Sequence, residues 1–263
     1  MKPMFFGDSD RKLYGVYHAP SGGQRRSHAV LLCYPGVQEY GTSLWGFRRL
    51  AGMLAQAGHH VLRFDYFGTG DSMGQLEDGS LARWLEDIQQ AALELRDLSG
   101  ARQLSLLGNR LGGSLAVKAC AAGVDAQRVV LWDPVVSGSD YVTELEMWDV
   151  RRNLLLLHAE RRGRGRTELL GYPFPQSLRA ELEALRLEHV LPRNQKKVAI
   201  FCSDNRNAYR ILHDAYTKAG VPVQLKLAAD AGGGSEAGAQ GRAQLSGSIL
   251  SEMANELGEV LAA

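Results

Sequence analysis

The chain is poor in everything that would staple, anchor or strongly charge it. Its 263 residues include three cysteines, Cys33, Cys120 and Cys202, too far apart to form a C-x-x-C pair. That spacing argues against a disulfide framework and against a thiolate zinc site, so no metal and no cofactor are expected. No apolar run reaches the ~20 residues of a membrane span. Met1-Lys-Pro-Met-Phe-Phe-Gly7 lacks the hydrophobic core of a signal peptide, which makes a cytoplasmic location the expectation. A net charge of +1 gives no general attraction to nucleic acid or to a membrane surface. Histidine is scarce where it would matter, for none of the seven follows His213.

What is present is an ordinary globular composition, 45% hydrophobic and 22% charged, in a chain long enough for one large core. Short apolar runs alternate with stretches of helical periodicity. Ala29-Val-Leu-Leu-Cys-Tyr34, His60-Val-Leu-Arg-Phe-Asp65, Leu104 to Leu107, Arg128 to Trp132, Lys197 to Cys202 and Val223 to Leu227 read as buried strands. Between them Leu44, Phe47, Leu50 and Leu54 recur at helical spacing within 43–56. Leu81, Trp84, Leu85, Ile88, Ala92 and Leu95 do the same within 81–98. A hairpin is expected across Asp8-Ser-Asp-Arg11 and a closing helix over 245–261. Strands alternating with helices over short connections predict a mostly parallel, doubly wound sheet with helices on both faces.

Two stretches break that rhythm. Residues 136–195 are too long for a simple crossover and contain helical patterns at 141–157 and 176–187. An insertion there lies above the carboxyl ends of the strands and would act as a lid. The expected organisation is therefore a core of 1–135 and 196–263 with a lid of 136–195. The second stretch, 228–242, is glycine-rich and reads as flexible.

The segment Leu104-Ser-Leu-Leu-Gly-Asn-Arg-Leu-Gly-Gly-Ser-Leu-Ala116 has the strand, tight turn and helix of a nucleophile elbow, whose pattern is G-x-S-x-G. Gly108 and Gly112 hold the glycine positions, but Arg110 stands where the serine belongs. Arginine stays protonated in proteins and attacks nothing. A triad further needs a carboxylate and a histidine, in the order serine, acid, histidine. The acid positions are occupied by Asp133 and Asp204. The histidine belongs in the loop after Val223–Leu227, where there is none.

With Tyr34-Pro-Gly36 at the position of an oxyanion loop and Arg63-Phe-Asp-Tyr-Phe-Gly-Thr-Gly-Asp-Ser72 ahead of the elbow, nearly the whole chain resembles the α/β-hydrolase fold. More narrowly, it is similar to the exosortase-system-associated hydrolases of the second type, found in bacterial exopolysaccharide gene clusters. Gly108-Asn-Arg-Leu-Gly112, Val130-Leu-Trp-Asp-Pro-Val-Val-Ser-Gly138 and Leu170-Gly-Tyr172 carry that likeness. It departs from them at Tyr34-Pro-Gly-Val-Gln-Glu-Tyr-Gly41 and in the glycine-rich tail. The resemblance implies that an arginine at the elbow is a group feature, and it implies a setting in exopolysaccharide or secondary-metabolite assembly.

Arg110 has two readings. It pairs with Asp133 or Asp204 as a satisfied ion pair, or it offers its donors to a ligand carboxylate, phosphate or sulfate beside the free N–H groups of the following helix. Val37, Glu39 and Tyr40 in the oxyanion loop, Leu111 after the elbow and Trp148 on the lid complete the candidate ligand contacts. Glu39 and Tyr40 are placed to reach Arg110 too, and read equally as a surface carboxylate and a half-packed ring. Ser114 lies one turn into the helix and packs there, while Cys33 and Cys202 read as buried thiols. Asp71 is expected to organise its turn by accepting from backbone amides. Arg161-Arg-Gly-Arg-Gly-Arg166 reads as a solvated loop or as a contact for an anionic polymer or lipid surface.

Three functions follow. The first is a hydrolase-like protein without serine-hydrolase catalysis, binding an anionic small molecule or a carrier-bound intermediate, with a protein partner from its pathway. The second is an active hydrolase, thioesterase or acyl transferase with an unconventional site. The third is a scaffold.

Overall fold

The strands are where short apolar runs put them, and the reason is visible in their burial. The run His28–Cys33 is buried at every position, as a central parallel strand covered on both faces must be. A computed structural model describes residues 1–22, 26–155, 167–193, 197–227 and 247–258. The main strands are β1 (Lys2–Phe6), β2 (Leu13–His18), β3 (His28–Cys33), β4 (His60–Phe64), β5 (Gln103–Asn109) and β6 (Arg128–Trp132). A small hairpin of β7 (Glu168–Leu169) and β8 (Tyr172–Pro173) precedes β9 (Lys197–Cys202) and β10 (Val223–Leu227). Eight strands form one sheet in the order β1-β2-β4-β3-β5-β6-β9-β10. The first three neighbours pair antiparallel, β1 with β2 and β2 with β4. The remaining pairs are parallel. This is the α/β-hydrolase arrangement.

The helices are α1 (Val37–Gln56), α2 (Leu81–Ser99), α3 (Leu111–Ala121), α4 (Gly138–Leu155), α5 (Gln176–Glu183), α6 (Asn207–Lys218) and α7 (Gly247–Gly258). Chain direction reverses across β3, and right-handed crossovers then place α1 and α3 on opposite faces. Local chemistry sets the ends of α2. Ser80 Oγ accepts from Arg83 N at 3.1 Å at its start, and Gly100 takes φ 64° after its last turn. Leu81, Trp84, Ile88, Ala91, Ala92 and Leu95 give it a buried stripe against the sheet. Each large side chain so buried contributes about 1.5–3 kcal/mol.

Several expectations shift. Helix α1 begins at Val37 rather than near Ser43, so Val37, Glu39 and Tyr40 are helical and not in a loop. Tertiary contacts outweigh the helix-breaking tendency of Gly41. Helix α5 stops at Glu183, and a separate 3-10 turn at Leu187–His189 follows. The turn expected of Asp71 is organised by Asp65, whose Oδ2 accepts from Asp71 N at 3.0 Å. The glycine-rich run 228–242, the arginine run 161–166 and the ends of the 141–157 and 245–261 helices lie outside the described residues.

At the far edge of the sheet α7 is fastened electrostatically. The buried carboxylate of Glu256 meets Arg128 Nη1 at 2.8 Å, Lys197 Nζ at 2.7 Å and Lys226 Nζ at 2.8 Å. Burial opposes its ionisation, but the hydrogen bonds from Lys197 and Lys226 win and hold it below the usual carboxylate range.

Candidate functional site

The turn between β5 and α3 forces its own glycines. A Cβ on Gly108 would stand 2.4 Å from the Gly112 carbonyl oxygen, and one on Gly112 would stand 2.1 Å from the Tyr34 carbonyl oxygen. Between them Arg110 takes φ 52°, ψ −122°, a region that costs a non-glycine residue about 1–3 kcal/mol. Its backbone is pinned from both sides, for Arg110 N donates to Trp132 O at 2.9 Å and Val135 N donates to Arg110 O at 3.3 Å. The strained frame of an elbow is intact, and it projects a guanidinium.

That guanidinium pairs with neither Asp133 nor Asp204. Arg110 Nε donates to Glu39 Oε1 at 2.8 Å, from the first turn of α1, and Nη2 donates to Glu144 Oε2 at 2.5 Å, from α4. The rings of Tyr141 and Trp148, also on α4, lie 5.4 Å and 5.8 Å from its central carbon. Tyr141 completes the arrangement by donating its hydroxyl to Glu39 Oε2 at 2.7 Å. Glu39 is therefore a buried, doubly bonded carboxylate rather than a surface one. Burial opposes the charge of Arg110, whose side chain is 11% exposed, but Glu39 and Glu144 raise its pKa well above the ordinary value. The ionic chain continues outward, Arg206 reaching Glu144 Oε1 at 3.4 Å and Asp204 Oδ2 at 2.8 Å.

The other candidates divide accordingly. Leu111 is buried beside Gly36, where a Cβ would stand 3.5 Å from a Leu111 methyl and 2.8 Å from the Tyr141 hydroxyl. Val37 opens α1 directly after Gly36, so both lie at this junction, and Trp148 stacks over the arginine. Tyr40 turns away, donating to Asp65 Oδ1 at 2.8 Å. Asp133 is taken by Ser203, whose backbone N–H donates to Oδ1 at 2.7 Å and whose hydroxyl donates to Oδ2. Burial raises the Asp133 pKa against those bonds. Ser114 donates to Val135 O at 2.7 Å and is buried. His213 is exposed beside Asp214, and among the described residues no histidine bonds to Arg110, Asp133, Asp204 or Ser114. No group of three potential metal ligands occurs among the described residues.

Tyr141, Glu144 and Arg206 were not foreseen. One signal for the first two was available, since Tyr141, Glu144 and Trp148 fall at i, i+3 and i+7, on one face of a helix. An acid on that face, rather than on the polar one, marks an inward partner.

The arrangement holds charge in place, and among the described residues the elbow presents Arg110 where a nucleophile would stand. Comparison with known proteins places it by descent. The model of the serine aminopeptidase S33 family matches residues 25–227. The chain belongs to that family. Among characterised relatives, the mitochondrial palmitoyl-protein thioesterase ABHD10 of Homo sapiens is 38% identical over 65 residues, 25% of this chain. The match spans only 20% of that relative's length. Among solved structures, Est1E from Butyrivibrio proteoclasticus with ferulic acid bound superposes with a TM-score of 0.63 at 17% identity, covering 97% of this chain and 96% of that one. The bottromycin epimerase BotH, in complex with bottromycin A2, gives 0.62 at 20% identity over 100% of both chains. At such identities the likeness shows this S33 member's fold alone.

Proposed function

We propose that this S33-family chain is a hydrolase-like accessory protein that does not perform serine-hydrolase chemistry. The observation that carries the reading is the Glu39–Arg110–Glu144 clamp. The position that would present a nucleophile instead ties α1 to α4 through one buried cation. In this reading residues 136–195 are a lid, and the pocket beneath it receives a small-molecule or carrier-bound intermediate in the cytoplasm. The G-x-R-L-G elbow supports a setting in exopolysaccharide or secondary-metabolite assembly. The likeness to an epimerase supports a departure from ester cleavage, since one scaffold hosts unrelated chemistries. An anionic ligand group competes with Glu144 for the guanidinium, so binding and movement of α4 go together.

The test is labelling with a fluorophosphonate probe of serine nucleophiles. The full chain is expected to remain unlabelled under conditions that label an active esterase to completion. Stoichiometric labelling of any serine overturns the reading.

A further inference from the structure

Helix α1 holds Arg110 through Glu39 on its inner face, and its outer face is turned away from the clamp. There Gly41, Trp45, Arg48 and Gly52 fall at i, i+4, i+7 and i+11, one continuous stripe flanked by Arg49. Trp45 is 70% exposed, and the Arg48 guanidinium lies over its ring at 5.5 Å. The two glycines serve no contact within the chain, for a Cβ at either would meet nothing within 4 Å. Each nevertheless costs the helix about 0.5–1 kcal/mol relative to alanine. Open backbone at both ends of the stripe, with one large ring standing between, is the relief of a surface shaped for close approach.

The charge on that face has one sign. Glu39 is the only acid of α1, and it is buried on the other side. Arg48 and Arg49 are exposed, and among the described residues neither forms an ion pair. Glu256 of the neighbouring α7 is taken by Arg128, Lys197 and Lys226. Arg49 lies against the start of α7, whose first turn holds no acid; a Cβ on Gly247 would stand 3.3 Å from Arg49 Nη2. The field reaches into the fold as well. Burial first, then the charges of Arg63, the N-terminus and Arg48, push His18 down to about 4.

We infer that the outer face of α1 docks a partner protein through an acidic helix of that partner. Tryptophan and arginine carry a large share of the binding energy at protein interfaces, and arginines without internal partners are the complement of a carboxylate-bearing surface. A helix laid along the stripe uses every position in it. Its backbone closes on Gly41 and Gly52, Trp45 enters between its side chains, and its carboxylates meet Arg48 and Arg49. A second copy of this chain does not fit, because a two-fold contact here sets arginine against arginine with no carboxylate on the face. A bilayer surface calls for a broad apolar face, whereas this stripe has one ring, and fluid lipid draws nothing from gaps at the glycines. The inference stands apart from the accessory-protein reading, because it concerns the opposite face of α1 and holds with or without catalysis.

The test is titration of the full chain into a dye-labelled helical peptide that repeats leucine and glutamate along one face, read by fluorescence anisotropy. Saturable binding that weakens as salt rises is expected, with none to the matching leucine–lysine peptide. Trp45→Ala is expected to weaken binding about tenfold or more, and Arg48→Glu with Arg49→Glu to abolish it. The double variant Gly41→Gln, Gly52→Gln fills the gaps. It is expected to weaken binding about tenfold while melting no lower than the wild type, because glutamine favours the helix. Ile211→Glu, an exposed apolar position on α6, serves as the control and leaves binding unchanged. Absence of saturable binding by the wild type overturns the inference, as does binding that Trp45→Ala retains in full. Sedimentation with phosphatidylglycerol vesicles without binding to the peptide overturns it in favour of a lipid surface. Self-association that Trp45→Ala abolishes, again without peptide binding, overturns it in favour of a second copy.

Discussion

Arg110 and Glu144 lie 34 residues apart in sequence and meet at 2.5 Å, the turn after β5 fixed to α4. The bond works together with the Tyr141 hydroxyl on Glu39 and with Arg206 on Glu144, which tie the same helix to the core. It also sets what substitutions at the elbow will do.

Removing the cation alone should be costly. Arg110→Met removes the cation shared by Glu39 and Glu144, leaving Tyr141 on the first and Arg206 on the second, and breaking a buried pair on one side costs about 3–5 kcal/mol. Urea denaturation should show that loss. The triple variant Arg110→Met, Glu39→Gln, Glu144→Gln should recover more than half of it, because neutral partners need no counter-ion. Equal stability of Arg110→Met and the wild type would mean the clamp contributes nothing.

Restoring the serine should not restore the reaction. Arg110→Ser is expected to hydrolyse an aryl ester no faster than buffer, since no histidine follows His213 to accept the hydroxyl proton. Clear turnover by this variant, saturable in substrate, would reveal a base that the geometry does not show.

Acid should unfold the protein through a buried histidine pair. His28 Nδ1 lies 2.9 Å from His59 Nδ1, and His28 Nε2 lies 2.8 Å from Ser105 Oγ, all within the core. Burial first, then His59, Arg128 and Arg26 acting on His28, and Arg26 and His60 acting on His59, lower the two pKa values to about 3 and about 4. The unfolded chain therefore binds protons that the folded chain refuses. Stability is fully present above the unfolded histidine value near 6.5 and falls with pH toward the folded values. Each histidine contributes about 1.4 kcal/mol per pH unit within that window. Denaturation from about pH 7 to about pH 5 should show the slope, and His59→Leu should flatten it. The raised carboxyls of Asp65, Asp87 and Asp133 act in the opposite direction, losing stability as pH rises through their folded values. An acid-side slope unchanged in His59→Leu would remove the histidine pair from the account.

The thiols should be silent. Cys33, Cys120 and Cys202 are buried, and burial pushes the Cys120 thiol up to about 12 and the other two up as well. No maleimide should add to the native protein on the timescale of minutes, and all three sites should react in denaturant. Rapid native labelling at any of them would contradict that packing.

The elbow was legible because its glycines are sterically dictated. Gly112 lies against the Tyr34 backbone whatever the central residue is, so the pattern survives without the serine. The sheet was legible for a similar reason, since a strand buried on both faces has no choice but to be a short apolar run. The partners of Arg110 were legible only in part: Glu39 stood within reach of it as one of two readings, whereas Glu144 left only its place between Tyr141 and Trp148 on one helix face as a signal. Asp133 and Asp204 stood at the expected strand ends and looked available, but Ser203 saturates one and Arg206 holds the other. Only the backbone of Glu39 departs from expectation, as Pro35-Gly36 and Gly41 read as a loop where α1 has already begun.

The Glu256 carboxylate has a consequence in time as well as in space. Arg128, Lys197 and Lys226 leave the ribosome before residue 256 does, at about 5–20 residues per second. Until that glutamate arrives, three cations from neighbouring strands face one another across a half-built sheet edge. The charge of that edge is balanced only after translation has passed residue 256.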